Sequence, residues 1–271
     1  MNNLASTDWL ADHLYADDVV VLDASWHLPA AKRNARAEFI ACRISGAQFF
    51  DIDDISEKAT ALPHMLPSAE VFAQKAGALG VGNASRVVCY DSVGLFSAAR
   101  CWWMFKVMGH DNVSVLDGGL KKWVAEERTV EDGIASDTAA VFTASYRPGM
   151  VRSINQLEGV QVADARSGPR FHGQEVEPRP GVRPGHMPGA KNVHYAALLN
   201  ADGTMKSAGE IASVFHAARI DESKPVVTSC GSGVTAAILT LALEQIGAKN
   251  HALYDGSWAE WGASGRDVVV G

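Results

Sequence analysis

The sequence predicts an α/β protein made of two tandem domains, each a mainly parallel sheet flanked by helices. Three observations predict it. Four blocks of the first half recur in the same order in the second. Within both halves, short Val-rich runs alternate with segments of helical periodicity. Between the halves, "EDGIASDTAAVFTASYRPGM" (131–150) is polar and rich in small residues, and carries Pro148-Gly149 near its end.

The recurrence justifies each element in turn. "VVVLDASW" (19–26) matches "VQVADARS" (160–167) as a strand ending in Asp-Ala. "RISGAQFFDID" (43–53) matches "HMPGAKNVHYA" (186–196), and "VVCYD" (87–91) matches "VVTSC" (226–230). "VSVLDGGLKKW" (113–123) matches "HALYDGSWAEW" (251–261). Two copies are too few for a solenoid, so two globular halves are expected. Residues 68–79 open with Ser68 and Glu70, suited to a helix start, and 209–220 are their counterpart. Buried strands joined by crossover helices imply a parallel sheet. The expected boundaries are a first domain over 1–135, a linker over 136–150 and a second domain over 151–271.

Composition narrows the function. A chain of 271 residues, 47% hydrophobic and 20% charged, is long enough for two ordinary cores. Its net charge of -7 speaks against nucleic acid and anionic membranes as partners. No run approaches the ~18 apolar residues of a membrane helix, and the start has neither the basic nor the apolar region of a secretory signal. Four cysteines without Cys-x-x-Cys or zinc-ligand spacing are expected to be free thiols in a reducing compartment, with cytoplasmic localisation as the default.

One of these cysteines stands apart. In "VVTSCGSGVTAAI" (226–238), Cys230 closes a strand and precedes a Gly-Ser-Gly turn and a helix starting near Thr235. Ligands of open α/β sheets bind beyond the carboxyl ends of the strands. Gly231 and Gly233 let the backbone curl so that N–H groups converge on the sulfur. Together with the helix N-terminus, these amides favour thiolate over thiol. The plainer reading is a small buried core cysteine, the commoner fate of a free thiol. Cys42, Cys89 and Cys101 lack such a turn and read as structural; "AARCWWMF" looks like the buried face of a helix. The first copy has Asp91 where the second has Cys230.

"CGSGVTA" with its flanking strand and helix resembles the active-site loop of the rhodanese superfamily, in particular its tandem-domain 3-mercaptopyruvate sulfurtransferases. The resemblance runs through "LDASWHLP", "PHMLPSAEVFAQKAGALGV", "LDGGLKKW", "EPRPGVRPGHMPGAKN" and "YDGSWAEWG", which is nearly the whole chain. In such proteins only the C-terminal copy keeps the cysteine. The resemblance implies that Cys230 carries a persulfide and that Ser232, His64 and Asp53 form a hydrogen-bonded triad near the donor. There Asp53 would orient His64, which exchanges a proton through Ser232. Arg170 and Arg179 match the positions that hold the carboxylate and ketone of an α-keto acid, a task suited to planar guanidinium groups. Gly231, Gly233, Val234 and Thr235 are expected to line the donor, and His186 to be structural support. No residue carried over departs from the family pattern. Without the resemblance, His64 reads as an exposed loop histidine, Asp53 as a solvated turn in "DIDD", and the two arginines as solvated loop charges.

Substrate choice follows the loop. Thiosulfate sulfurtransferases of this family carry basic residues after the cysteine, whereas Gly231-Ser232-Gly233 is neutral. That favours a small-molecule donor of the mercaptopyruvate type, with cyanide, a small thiol or a thioredoxin-type protein as acceptor. No metal or organic cofactor is implied. Thiosulfate as main donor and a non-catalytic sulfur-binding module are the alternatives; the second predicts loss of a loop that is intact here. Cys-dependent phosphatases need an arginine six residues after the cysteine, and residue 236 is Ala236.

Overall fold

The Val-rich runs form inner strands of two five-stranded sheets, and every pairing within those sheets is parallel. The computed structural model describes residues 2–136 and 138–271. Residue 137 of the expected linker and residue 1 of the expected first domain lie outside it.

Unit 1 comprises Met1–Ser56, Pro67–Arg147 and Asn200–Met205. Its strands are β1 (Leu4–Ala5), β2 (Val19–Asp23), β3 (Arg43–Ile44), β4 (Gln48–Phe49), β5 (Arg86–Tyr90), β6 (Val113–Leu116) and β7 (Val130–Glu131). The sheet order is β1-β6-β5-β2-β4, with β3 and β7 forming a separate antiparallel pair. Its helices are α1 (Thr7–His13), α2 (Ala35–Ala41), α3 (Ile52–Ile55), α4 (Ala69–Ala78), α5 (Ala98–Val107) and α6 (Gly119–Ala125). As expected, Ser68 caps α4, its side chain accepting from the Val71 N–H. The "AARCWWMF" segment is buried throughout rather than on one face, because α5 lies in the core as well as against the sheet. Phe142 joins the aromatic cluster of Phe72 and Phe105, with ring centroids 5.9 Å from each. The second part of the expected linker is therefore packed on unit 1. Ala140 N–H donates to Gly77 O at 2.9 Å and Ser145 N–H to Met108 O at 2.8 Å.

Unit 2 comprises Glu57–Leu66, Pro148–Leu199 and Lys206–Gly271. Its strands are β8 (Val151–Arg152), β9 (Gln161–Asp164), β10 (Lys191–Asn192), β11 (Val226–Ser229) and β12 (His251–Tyr254), in the order β10-β9-β11-β12-β8. Reversed, that order repeats unit 1 strand for strand. Its helices are α7 (Gly168–Phe171), α8 (Ala208–Ala217), α9 (Ala236–Gln245) and α10 (Ser257–Trp261). Ser207 and Glu210 form a capping box at the start of α8. α9 is apolar along its length and buried from Ala236 to Leu243, as a helix pressed into a core must be.

Each unit is completed by a short piece from the other half of the sequence. In unit 1, Asp117 Oδ1 accepts the Met205 N–H at 2.7 Å. In unit 2, Asp255 Oδ2 accepts the Leu66 N–H at 2.7 Å. Asp117 and Asp255 are the same position of the repeated "DGG/DGS" turn. This double exchange places His64 in unit 2 although its sequence belongs to the first half. Among the described residues no helix is long and apolar enough to cross a membrane.

Candidate active site

β11 is the central strand of its sheet, and Cys230 is the first residue beyond its carboxyl end. The Cys230 side chain is 2% exposed, in a loop that reverses into α9, whose N-cap is Thr235. Gly233 adopts φ +81°, a conformation that a side chain would disfavour, and its N–H donates to Cys230 Sγ at 3.1 Å. The main chain of the loop is clamped by α10: Trp258 N–H donates to Cys230 O and Ala259 N–H to Gly231 O, both at 2.9 Å. An amide aimed at sulfur beside a helix N-terminus stabilises negative charge there.

Ser232 and His64 are brought together. Ser232 Oγ and His64 Nδ1 share a hydrogen bond of 3.0 Å. The expectation of an exposed His64 is corrected, since the residue is 5% exposed and held at φ +59°. The cause is the anchoring of its segment to Asp255, which no local pattern around residue 64 announces. His64→Ala is accordingly expected to cost about 1–2 kcal/mol of stability, read as a lowered melting temperature. A solvated histidine in the same place would cost almost nothing.

Arg170, at the end of α7, lies over the loop. A Cβ placed on Gly231 would sit 3.1 Å from Arg170 Nη2. The guanidinium is held by Glu177 Oε2 at 2.5 Å, and Glu177 Oε1 takes a second bond from Arg166 Nη1 at 2.9 Å. Arg166 in turn grips the buried Asp164 and stacks 4.4 Å from the Trp258 ring. Arg170 is thus the outer member of a buried ion chain that fixes its direction. Its Nε is buried without a hydrogen-bond partner among the described residues, while the side chain as a whole is 20% exposed, so part of it stays open to solvent. Neither Glu177 nor Asp255 was visible as a site residue in the sequence. The repeat could have flagged Asp255, because it aligns with Asp117.

The remaining expected residues are placed differently. Val234 and Thr235 complete the loop, Val234 being buried. Arg179 is half-buried in the stretch after Glu177, and its carbonyl accepts from the Val182 N–H at 3.4 Å. Asp53 belongs to unit 1, in α3, where its Oδ2 accepts the Trp26 indole N–H at 3.0 Å. His186 lies under α7: its Nδ1 donates to Phe171 O at 3.0 Å, its ring stacks 3.9 Å from Phe171, and burial holds its pKa below the usual histidine value. Cys89 and Cys101 are fully buried, with sulfurs 3.2 Å apart.

The first copy shows the same loop with a different content. Asp91 stands beyond β5, and its carboxylate accepts four backbone N–H groups: Val93 on Oδ1 at 3.0 Å, and Phe96, Ser97 and Ala98 on Oδ2 at 2.7, 2.8 and 2.9 Å. Val93 replaces Ser232, and Gly203 replaces His64. The cradle that could receive an anion is filled by the chain's own carboxylate, so unit 1 has no vacant counterpart of the thiol site.

A model of the rhodanese-like domain matches residues 6–126 and again 150–264. The chain is 43% identical to human 3-mercaptopyruvate sulfurtransferase over 280 residues, covering 98% of this chain and 94% of that protein. It is 41% identical to thiosulfate/3-mercaptopyruvate sulfurtransferase 1, mitochondrial, of Arabidopsis thaliana over 285 residues, covering 95% and 75%. The crystal structure of the 3-mercaptopyruvate sulfotransferase SseA from Escherichia coli superposes with a TM-score of 0.87 at 36% identity, covering 95% of this chain and 99% of that one.

Proposed function

Because the chain belongs to the rhodanese family, we propose that it moves sulfur from 3-mercaptopyruvate to a nucleophilic acceptor through a persulfide on Cys230. The observation that carries this reading is the neutral loop around the thiol, in which Ser232 is bonded to His64 and Arg170 lies over Gly231. The Cys230 thiolate attacks the donor sulfur; an S–S bond forms and the donor C–S bond breaks. The bonding electrons pass to carbon as the enolate of pyruvate, which then takes a proton. Ser232 and His64 form the path for that proton, and the part of Asp53 in it is carried by the family resemblance alone. Gly233 N–H, aimed at Cys230 Sγ, and the start of α9 favour the anionic sulfur group until cyanide, a small thiol or a thioredoxin-type protein removes the outer sulfur. We place the reaction in the cytoplasm, in keeping with the four free thiols.

Donor choice rests on Arg170 and the absence of other charge in the loop. A donor carboxylate on the free edge of Arg170 gains a charge-assisted bond of about 1.5–3 kcal/mol. Arg170→Ala should therefore lower kcat/KM for mercaptopyruvate by about one to two orders of magnitude, chiefly through KM. Arg179→Ala should act in the same direction. Thiosulfate use should fall less, raising its share of total activity. Equal losses for both donors would remove Arg170 from the selectivity account. A basic residue at 231 is not a simple converse, since its Cβ would press on the guanidinium already there.

A further inference from the structure

Ser257 is fully buried and held at φ +49°, a conformation disfavoured for any residue with a Cβ. The repeat shows what this position ordinarily requires. Its counterpart is Gly119, at φ +56°, the residue type that adopts this conformation freely. A Cβ on Gly119 would lie 2.6 Å from Gly94 O, so the first copy has no space for a side chain. The second copy keeps a serine in spite of the strain. Its Oγ accepts the Cys230 N–H at 3.2 Å and donates to Tyr254 O at 2.9 Å.

The neighbouring contact is common to both copies, which isolates the hydroxyl. Trp258 N–H bonds to Cys230 O at 2.9 Å, and Leu120 N–H bonds to Asp91 O at 3.0 Å. Gly119 can offer nothing that corresponds to the Ser257 Oγ bond. The added acceptor is thus confined to the copy that carries the thiol, and it acts on the thiol residue's own amide.

We propose that Ser257 is a positioning residue for the Cys230 thiolate. By holding the Cys230 N–H it fixes the backbone of that residue, and so keeps Sγ directed at the Gly233 N–H. It touches neither donor nor sulfur. The turnover readout rests on the sulfur-transfer reading, whereas the alkylation readout does not.

Two variants separate the hydroxyl from the strain. Ser257→Gly removes the hydroxyl and relaxes the backbone, while Ser257→Ala removes the hydroxyl and leaves the backbone strained. Both should slow alkylation of Cys230 by iodoacetamide at fixed pH by about threefold to tenfold, the equivalent of one neutral hydrogen bond. The rate is followed on the Cys230 peptide by mass spectrometry, with no sulfur donor present. With mercaptopyruvate, kcat should fall by a similar factor while KM stays unchanged, because Arg170 is untouched. Ser257→Gly should melt close to the wild-type temperature and above Ser257→Ala, because relief of the backbone strain offsets the lost bonds. Wild-type alkylation in Ser257→Gly would overturn the proposal, and so would faster alkylation, which marks mere loosening of the loop. Slowing in Ser257→Ala alone would assign the effect to the backbone and overturn it equally. A wild type that alkylates readily but does not use mercaptopyruvate would count against the proposed function, not against Ser257.

Discussion

Cys230→Ser should transfer no sulfur at all. The persulfide has to form on a sulfur atom, and a serine hydroxyl at the same place offers no thiolate and no S–S bond. Cys42→Ser, Cys89→Ser and Cys101→Ser should each retain most of the activity. Cys89 and Cys101 lie within the core of unit 1, and Cys42 sits half-buried beyond α2, away from any loop of this kind. Intact-mass measurement after addition of donor should show one extra sulfur on the wild type and none on Cys230→Ser. An extra sulfur of unchanged yield on Cys230→Ser would place the chemistry on another thiol.

The second large effect is expected in the copy without a thiol. Asp91→Ala takes the acceptor from four backbone N–H groups of the loop that leads into α5. Asp91 is fully buried, so water cannot replace the lost bonds without opening the loop. Leaving buried donors unpaired costs about 1–3 kcal/mol for each group that finds no substitute. With partial relaxation, we expect a total loss of about 3–5 kcal/mol, with Asp91→Asn intermediate because one amide oxygen can still accept. Chemical denaturation followed by tryptophan fluorescence reads this directly, since Trp102, Trp103 and Trp123 are buried in unit 1. A change within about 0.5 kcal/mol would mean that the carboxylate is not what holds the first loop closed.

The contrast between Asp91 and Cys230 shows what the sequence could and could not convey. Alternating apolar runs and helical segments were enough to define the inner strands of the parallel sheets, because those runs are apolar and largely buried, whereas the two-residue edge strands, such as Lys191–Asn192, carry no such pattern. The repeat placed Asp91 opposite Cys230, and the turn glycines placed the thiol at a strand end. The reason Asp91 stands there was not legible, since a cradle of amides is a property of backbone direction and not of residue type. His64 was misplaced as an exposed residue for a related cause. Its burial depends on Leu66 reaching Asp255, almost two hundred positions away in sequence, and no local pattern encodes which unit a short segment completes. Phe142 was hidden in a stretch of small and polar residues, yet one aromatic ring docked on Phe72 and Phe105 is enough to fix that stretch. Ser257 was visible as a residue but not as an outlier, because its meaning lies in a dihedral angle shared with Gly119.

Mercaptopyruvate should load one sulfur onto Cys230 of this chain. The direct measurement is a rapid-mixing experiment with wild-type protein and a single equivalent of 3-mercaptopyruvate, because the donor is itself a thiol and in excess would serve as acceptor, following pyruvate and intact mass together. On this reading one pyruvate is released per chain, matched by one added sulfur that maps to the Cys230 peptide and is lost again when cyanide is supplied. Thiosulfate under the same conditions should load the protein more slowly. Loading by thiosulfate alone, or release of pyruvate with no sulfur on Cys230, would contradict it.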